Sequence, residues 1–254
     1  MSLFPAVSVV VPFFNSERHI GLCVDSLMNQ VGVDGTFELI FINNRSADAS
    51  ASIVEKTAEV VLLHEDTPGA YAARNTGIKN AKAPLIAFTD ADCVVESDWL
   101  RSIQDSMKDS SVAMVAGLLR YPPQASLALR MLGAYENAKI EYVLNHCEPA
   151  QHFAYTNNLA VRASVFEELG LFKEWNRAAD TELVHRLASQ RPDLVFAYNR
   201  AMRVIHLEFL GARARAQRLR LYRSTNSKID SFQELGFLDR LAVLEYLFRR
   251  YVGR

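Results

Sequence analysis

Two aspartates one residue apart, Asp90 and Asp92, follow the apolar run Pro84-Leu85-Ile86-Ala87-Phe88 in the stretch Thr89-Asp90-Ala91-Asp92-Cys93. A short apolar run of this kind reads as a buried strand, and open α/β sheets bind their ligands at the carboxyl ends of such strands. Two carboxylates at that edge can hold a divalent cation through oxygen, and a cation so placed suits a diphosphate. In an extended segment the side chains of Asp90 and Asp92 would share a face. The plainer role is that Asp90 caps a turn while Asp92 or Ser97 opens the helix that contains Trp99, Leu100 and Ile103.

The elements that must position this pair are legible from pattern. Residues 6–11 are rich in β-branched side chains and are expected to stop as a strand at Pro12, delivering Phe13, Phe14 and Asn15 to a loop. Ile20, Val24, Leu27 and Met28 then recur at helical spacing, with Asn15 or Ser16 as cap. Residues 37–42 form a second strand followed by the polar turn Asn43-Asn44-Arg45-Ser46-Ala47-Asp48, and residues 60–63 a third. Residues 112–117 and 201–205 read as further strands, the last closed by His206. Residues 127–144 are helical in period, interrupted at Gly133. Alternating strands and helices predict a three-layer α/β/α domain around a mostly parallel sheet, with right-handed crossovers. The small residues after Gly69 suit close packing of a helix on that sheet.

Composition narrows the classes. Lys plus Arg number 28 against 29 Asp plus Glu, a net charge of −1, which gives no global basis for binding nucleic acid. Cys23, Cys93 and Cys147 have neither zinc-ligand spacing nor a disulfide framework and read as thiols of a reducing compartment. With no basic leader at the amino terminus and no apolar run of about 18 residues, a cytoplasmic protein is expected, soluble or peripheral at the inner face of a membrane. The Gly-rich dinucleotide fingerprint and the Walker-type Gly-Lys-Ser/Thr are both missing.

Val7-Ser8-Val9-Val10-Val11-Pro12-Phe13-Phe14-Asn15, then Asn43 to Asp48, then Ala72-Ala73-Arg74-Asn75-Thr76-Gly77, then Thr89-Asp90-Ala91-Asp92 resemble, in order, the motifs of family 2 glycosyltransferases. The resemblance implies a GT-A fold over residues 1–223 with a helical extension over residues 224–254. It also implies inverting transfer of a sugar from a nucleotide diphosphate sugar to a saccharide or lipid-linked acceptor, as in polysaccharide or glycolipid assembly. Carried over by position, Pro12, Phe13 and Asn15 lie beside base and ribose. Asn43 and Asn44 stand where the family shows aspartate, keeping hydrogen-bonding capacity without the charge. Asp90 reaches the ribose or the metal, Asp92 ligates Mg2+ or Mn2+, and His206 completes the metal shell or touches the diphosphate. Arg74, Arg215 and Arg218 approach the phosphates. Asn158 hydrogen-bonds the donor sugar or ties down its own loop. Asp180, in Ala179-Asp180-Thr181-Glu182, is the general base, with Ala179 in place of the family's Glu; its alternative role is a helix cap.

Two other classes compete. A metal-dependent nucleotidyltransferase should carry a glycine- and Lys- or Arg-rich loop after the first strand, where this chain has Pro12-Phe13-Phe14-Asn15. A non-catalytic nucleotide-sugar-binding protein would explain the acidic residues lost at Asn43, Asn44 and Ala179. The final segment, with Phe232, Leu235, Phe237, Leu238, Leu241, Leu244, Leu247 and Phe248 among Arg240, Arg249, Arg250 and Arg254, has helical apolar periodicity with a basic edge that suits a membrane interface, a dimer contact or packing on its own domain.

Overall fold

The computed structural model of the chain describes residues 4–207, 228–229 and 231–249. Arg215, Arg218 and the expected boundary between residues 223 and 224 lie outside these. Eight strands, β1 (Val7–Phe13), β2 (Phe37–Asn43), β3 (Val60–His64), β4 (Leu85–Thr89), β5 (Cys93–Val95), β6 (Val112–Arg120), β7 (Asn158–Arg162) and β8 (Val195–His206), form one sheet. Their order is β3-β2-β1-β4-β7-β6-β8-β5. β1 runs parallel to β2 and β4, β2 to β3, and β6 to β8, whereas β7 is antiparallel to β4 and β6, and β5 to β8.

Among the described residues the α-helices are α1 (Ile20–Met28), α2 (Ser50–Val54), α3 (Ala70–Asn80), α4 (Trp99–Ser106), α5 (Leu127–His146), α6 (Ala163–Leu169), α7 (Ala179–Gln190) and α8 (Phe237–Leu247). β1 is buried along its whole length, as a strand covered on both faces must be. Val7, Val9, Val11 and Phe13 point to one side with Ile20 and Leu27 of α1 and Trp99 and Leu100 of α4. Val10, Ile40 and Ile42 point to the other with Ile78 of α3 and Leu183 and Leu187 of α7. The expected three layers follow. Gly77 sets the closeness of α3, since a Cβ there would lie 2.4 Å from Val10 Cγ1 and 2.9 Å from Ile42 Cδ1.

Several local expectations give way to the packing. Pro12 does not end β1. The Phe13 carbonyl accepts from Asn44 N at 2.9 Å, so Pro12 turns its missing N–H to the opposite side, where the β4 ladder has already ended at the Val10–Phe88 pair. Neither Asn15 nor Ser16 caps α1 with its side chain; the Ser16 carbonyl instead accepts from His19 N and Ile20 N. Gly133 does not interrupt α5, which runs through it. The strand expected over residues 201–205 is the end of the longer β8.

The C-terminal helix α8 packs on α5 through Val243 and Leu247, and Tyr246 meets Tyr142 edge-on at 5.9 Å. Ahead of it, Ser231 Oγ and His185 Nδ1 are 2.6 Å apart, which ties this segment to α7. Phe237, Leu238, Leu241, Leu244 and Phe248 stay exposed on its outer side. Among the described residues no helix is long and apolar enough to cross a membrane.

Candidate active site

A cleft of about 910 Å3 opens at the carboxyl ends of β1, β4 and β8. Its walls include Pro12, Phe13 and Asn15 from β1 and the loop that follows, Arg74 from α3, Asp90 and Asp92 beyond β4, Asp180 from α7, and His206 from the end of β8. Asn15 adopts a left-handed conformation at φ 48°. Its Oδ1 accepts from Ala47 N at 2.9 Å and its own N–H donates to Ser46 Oγ at 3.0 Å, so it clamps two walls of the cleft together.

The two aspartates of the opening motif take different partners. Cys93 N donates to the Asp90 carbonyl at 3.0 Å, and this turn separates the carboxylates. Asp90 is drawn to Arg74, Oδ1 to Nη2 at 2.5 Å, with the arginine side chain buried. A guanidinium beside a carboxylate in a partly dry cleft is held in one orientation. Asp92 faces His206 instead, Oδ2 to Nε2 at 3.5 Å. The β5–β8 ladder produces this meeting, because Cys93 pairs with His206 and Leu207 N donates to the Asp92 carbonyl at 2.8 Å.

Asp92, Cys93 and His206 each offer a ligand atom within 4.8 Å of the others. Burial holds the Cys93 thiol well above its ordinary range, with Asp92 and Asp90 adding to the shift, so the available donors are a carboxylate and an imidazole. That set fits a divalent cation, and the imidazole favours Mn2+ over Mg2+. Asp90 is not part of this group.

Asp180 is only 2% exposed. Its Oδ2 accepts from Thr156 N at 3.1 Å and its Oδ1 from Thr181 N at 2.9 Å. It lies in the first turn of α7 after Ala178, rather than at the cap. Desolvation pushes its carboxyl above the ordinary value, while the Tyr71 hydroxyl, Arg74 and the two backbone N–H groups hold it back. A carboxylate shifted in this direction is a better proton acceptor at neutral pH.

Three sequence candidates point away from the cleft. Asn158 is buried, accepting from Trp99 Nε1 at 2.9 Å and donating to the carbonyls of Met202 and Leu118 at 3.0 and 3.1 Å; it ties its own strand into the sheet and stands outside the lining of the cleft. Asn44 donates to the Glu65 and Thr67 carbonyls and accepts from Gly69 N, each at 2.8 Å, which fixes the loop leading to α3. Asn43 accepts from Ser46 N at 2.8 Å. The Asn44 amide and the Asn43 oxygen are thus taken by backbone, and both residues stand outside the lining. Conversely, Tyr71, Asp48 and Arg177 line the cleft without having been singled out. Tyr71 precedes Arg74 by three residues, the helical spacing that could have found it, and the Arg74 guanidinium lies 5.2 Å from its ring centre. Arg177 sits in a loop that gives no periodic signal.

The family model for glycosyl transferase family 2 matches residues 8–170, which hold β1 to β4 and the Asp90–Asp92 turn. The chain belongs to this family. It is 27% identical over 177 residues to glycosyltransferase AglE of Haloferax volcanii, covering 67% of this chain and 57% of that protein. Likewise it is 28% identical over 218 residues to the uncharacterized glycosyltransferase EpsJ of Bacillus subtilis, covering 81% and 60%. It thus spans under two thirds of the length of either relative. Among solved structures, the mannosyltransferase PcManGT of Pyrobaculum calidifontis, in complex with GDP-Man and Mn2+, superposes with a TM-score of 0.69 at 20% identity, covering 98% of this chain and 71% of that one. S. aureus TarS in complex with UDP-GlcNAc gives 0.67 at 17% identity, covering 97% and 72%. The fold of this family 2 chain is therefore the GT-A fold.

Proposed function

We propose that this chain is an inverting glycosyltransferase that moves a sugar from a nucleoside diphosphate sugar to a hydroxyl of a glycan or glycolipid acceptor. The observation that carries the reading is that buried Asp180 and the Asp92–His206 pair open into one cleft at one sheet edge. Asp92 and His206 would hold Mn2+ or Mg2+, which when bound neutralises charge on a departing diphosphate.

The chain's own residues supply the rest. Asp180 takes the proton of the acceptor hydroxyl as that oxygen attacks the anomeric carbon from the face opposite the diphosphate. The Thr156 and Thr181 N–H groups fix the direction of its carboxylate. Arg74, steadied by Asp90, adds positive charge beside the leaving group. Pro12, Phe13 and Asn15 form the wall for the nucleoside. The exposed apolar stripe of α8, flanked by Arg240 and Arg249, supports seating against an anionic membrane surface, where a lipid-linked acceptor would lie.

The test is a screen of nucleotide sugars for Mn2+-dependent release of nucleoside diphosphate with candidate acceptors, comparing wild type with Asp180→Asn. Loss of transfer by about 10²–10⁴-fold with donor binding kept is expected. Acceptor-dependent transfer retained by Asp180→Asn would remove the assigned base.

A further inference from the structure

A second cleft, of about 420 Å3, lies where the end of β6, the middle of β8 and the first half of α5 meet. Among the described residues that line it, four are arginines, Arg120, Arg130, Arg200 and Arg203, and none is acidic. In a chain of net charge −1 this is a local concentration of cation. Three carboxylates stand behind the arginines rather than in the cleft. Glu141, buried on α5, holds Arg200 by Nε at 2.9 Å and Nη2 at 2.7 Å. Glu96 holds Arg203 Nε at 2.7 Å and Arg120 Nη1 at 3.4 Å, and Asp98 holds Arg203 Nη2 at 3.4 Å. Three carboxylates against four guanidiniums leave the cluster one positive charge in excess: Arg120, Arg200 and Arg203 are oriented by their acidic partners, and Arg130 pairs with no carboxylate among the described residues.

The space is shaped as well as charged. Gly133 lines the cleft inside a continuous helix, and a Cβ there would lie 2.9 Å from the Tyr121 ring, so the missing side chain lets that ring seat against α5. Asn137 spends its amide on the Leu119 backbone, accepting from its N–H at 2.9 Å and donating to its carbonyl at 2.6 Å, which pins α5 to β6. Tyr121 also packs against His206 with ring centres 5.8 Å apart, so its ring stands between this cleft and the Asp92–His206 pair.

We infer that this arginine cleft is a binding site for a phosphoryl group, presented by a phosphate-bearing acceptor or by free phosphate. Fixed guanidinium forks match a tetrahedral oxyanion through paired N–H···O bonds. The assignment to an acceptor rests on the transferase reading above; binding of phosphate itself does not.

The experiment titrates inorganic phosphate into the full chain without divalent cation, following arginine Nε–Hε resonances by NMR. Saturable shifts at Arg120, Arg130, Arg200 and Arg203 are expected, with affinity reduced about tenfold in Arg130→Glu, an exposed position whose replacement leaves the buried Arg200–Glu141 pair intact. Binding unchanged in an Arg120→Ala/Arg130→Glu double variant, or shifts confined to Arg74, would overturn the site. A second arm measures transfer. If Arg130→Glu raises KM about tenfold for a phosphodiester-linked acceptor, leaves KM for a neutral saccharide unchanged and spares donor hydrolysis, the phosphate belongs to the acceptor. Equal KM values for both acceptors, with phosphate binding still weakened, assign the site to free phosphate and refute the acceptor role. No donor turnover in wild type, with phosphate bound at the arginines, would strike the transferase reading alone.

Discussion

Asp180 has a consequence for stability as well as for rate. Its carboxyl titrates above the ordinary 3.8 in the folded chain because burial disfavours the charged form. The folded state therefore binds the proton more tightly than the unfolded state, and the cost of ionising it is absent below pH 3.8 and complete above the raised folded value. Asp180→Asn should thus be more stable than wild type at neutral pH, with the gain fading as pH falls toward 3.8, when both are melted in parallel across pH. The acid limb of the transfer rate should fall above the usual carboxylate range. Asp92→Ala makes a different prediction: Mn2+ affinity measured by calorimetry should drop at least about tenfold, since even outer partners of metal ligands cost that much. An unchanged Mn2+ isotherm would dismiss Asp92 as a ligand. Asn158→Ala should leave donor affinity intact but lower stability by about 3 kcal/mol in denaturant, because the buried Trp99 Nε1 and two carbonyls lose their partner.

Between elements, Gly77 lets α3 lie close against β1 and β2. Gly77→Val forces branches against Val10 and Ile42, and a loss of about 1–3 kcal/mol in urea unfolding is expected, without a change in the m-value. The strands and the small-residue packing of α3 were legible because apolar periodicity and side-chain size report directly on burial. Pro12 misled because its tolerance depends on which neighbour has ended, a fact of sheet order that local sequence does not carry. The shared face expected of Asp90 and Asp92 likewise assumed an extended segment, and the turn closed by Cys93 N sends one to Arg74 and the other to His206. Asn43, Asn44 and Asn158 occupy motif positions, yet Asn43 Oδ1 is taken by the nearby Ser46 N–H, and the amides of Asn44 and Asn158 are taken by groups distant in sequence. An amide that can both donate and accept gives no sequence sign of which use prevails.

At the scale of the molecule, the outer face of α8 presents Phe237, Leu241, Leu244 and Phe248 at four-, three- and four-residue steps, one stripe of a helix. Co-sedimentation with anionic vesicles should be strong for wild type and lost for Leu241→Glu/Leu244→Glu, while Val243 and Leu247 keep the helix docked on α5. Salt-insensitive dimerisation in the absence of vesicles, abolished by the same pair, would assign the stripe to a second copy. The β5–β8 ladder sets a timetable for synthesis. Asp92 leaves the ribosome long before His206, and the two become neighbours only when the last described strand, β8, inserts between β6 and β5. A nascent chain halted before β8 would hold most of its parallel strands yet lack the paired donors, so acquisition of the ion would mark completion of the domain.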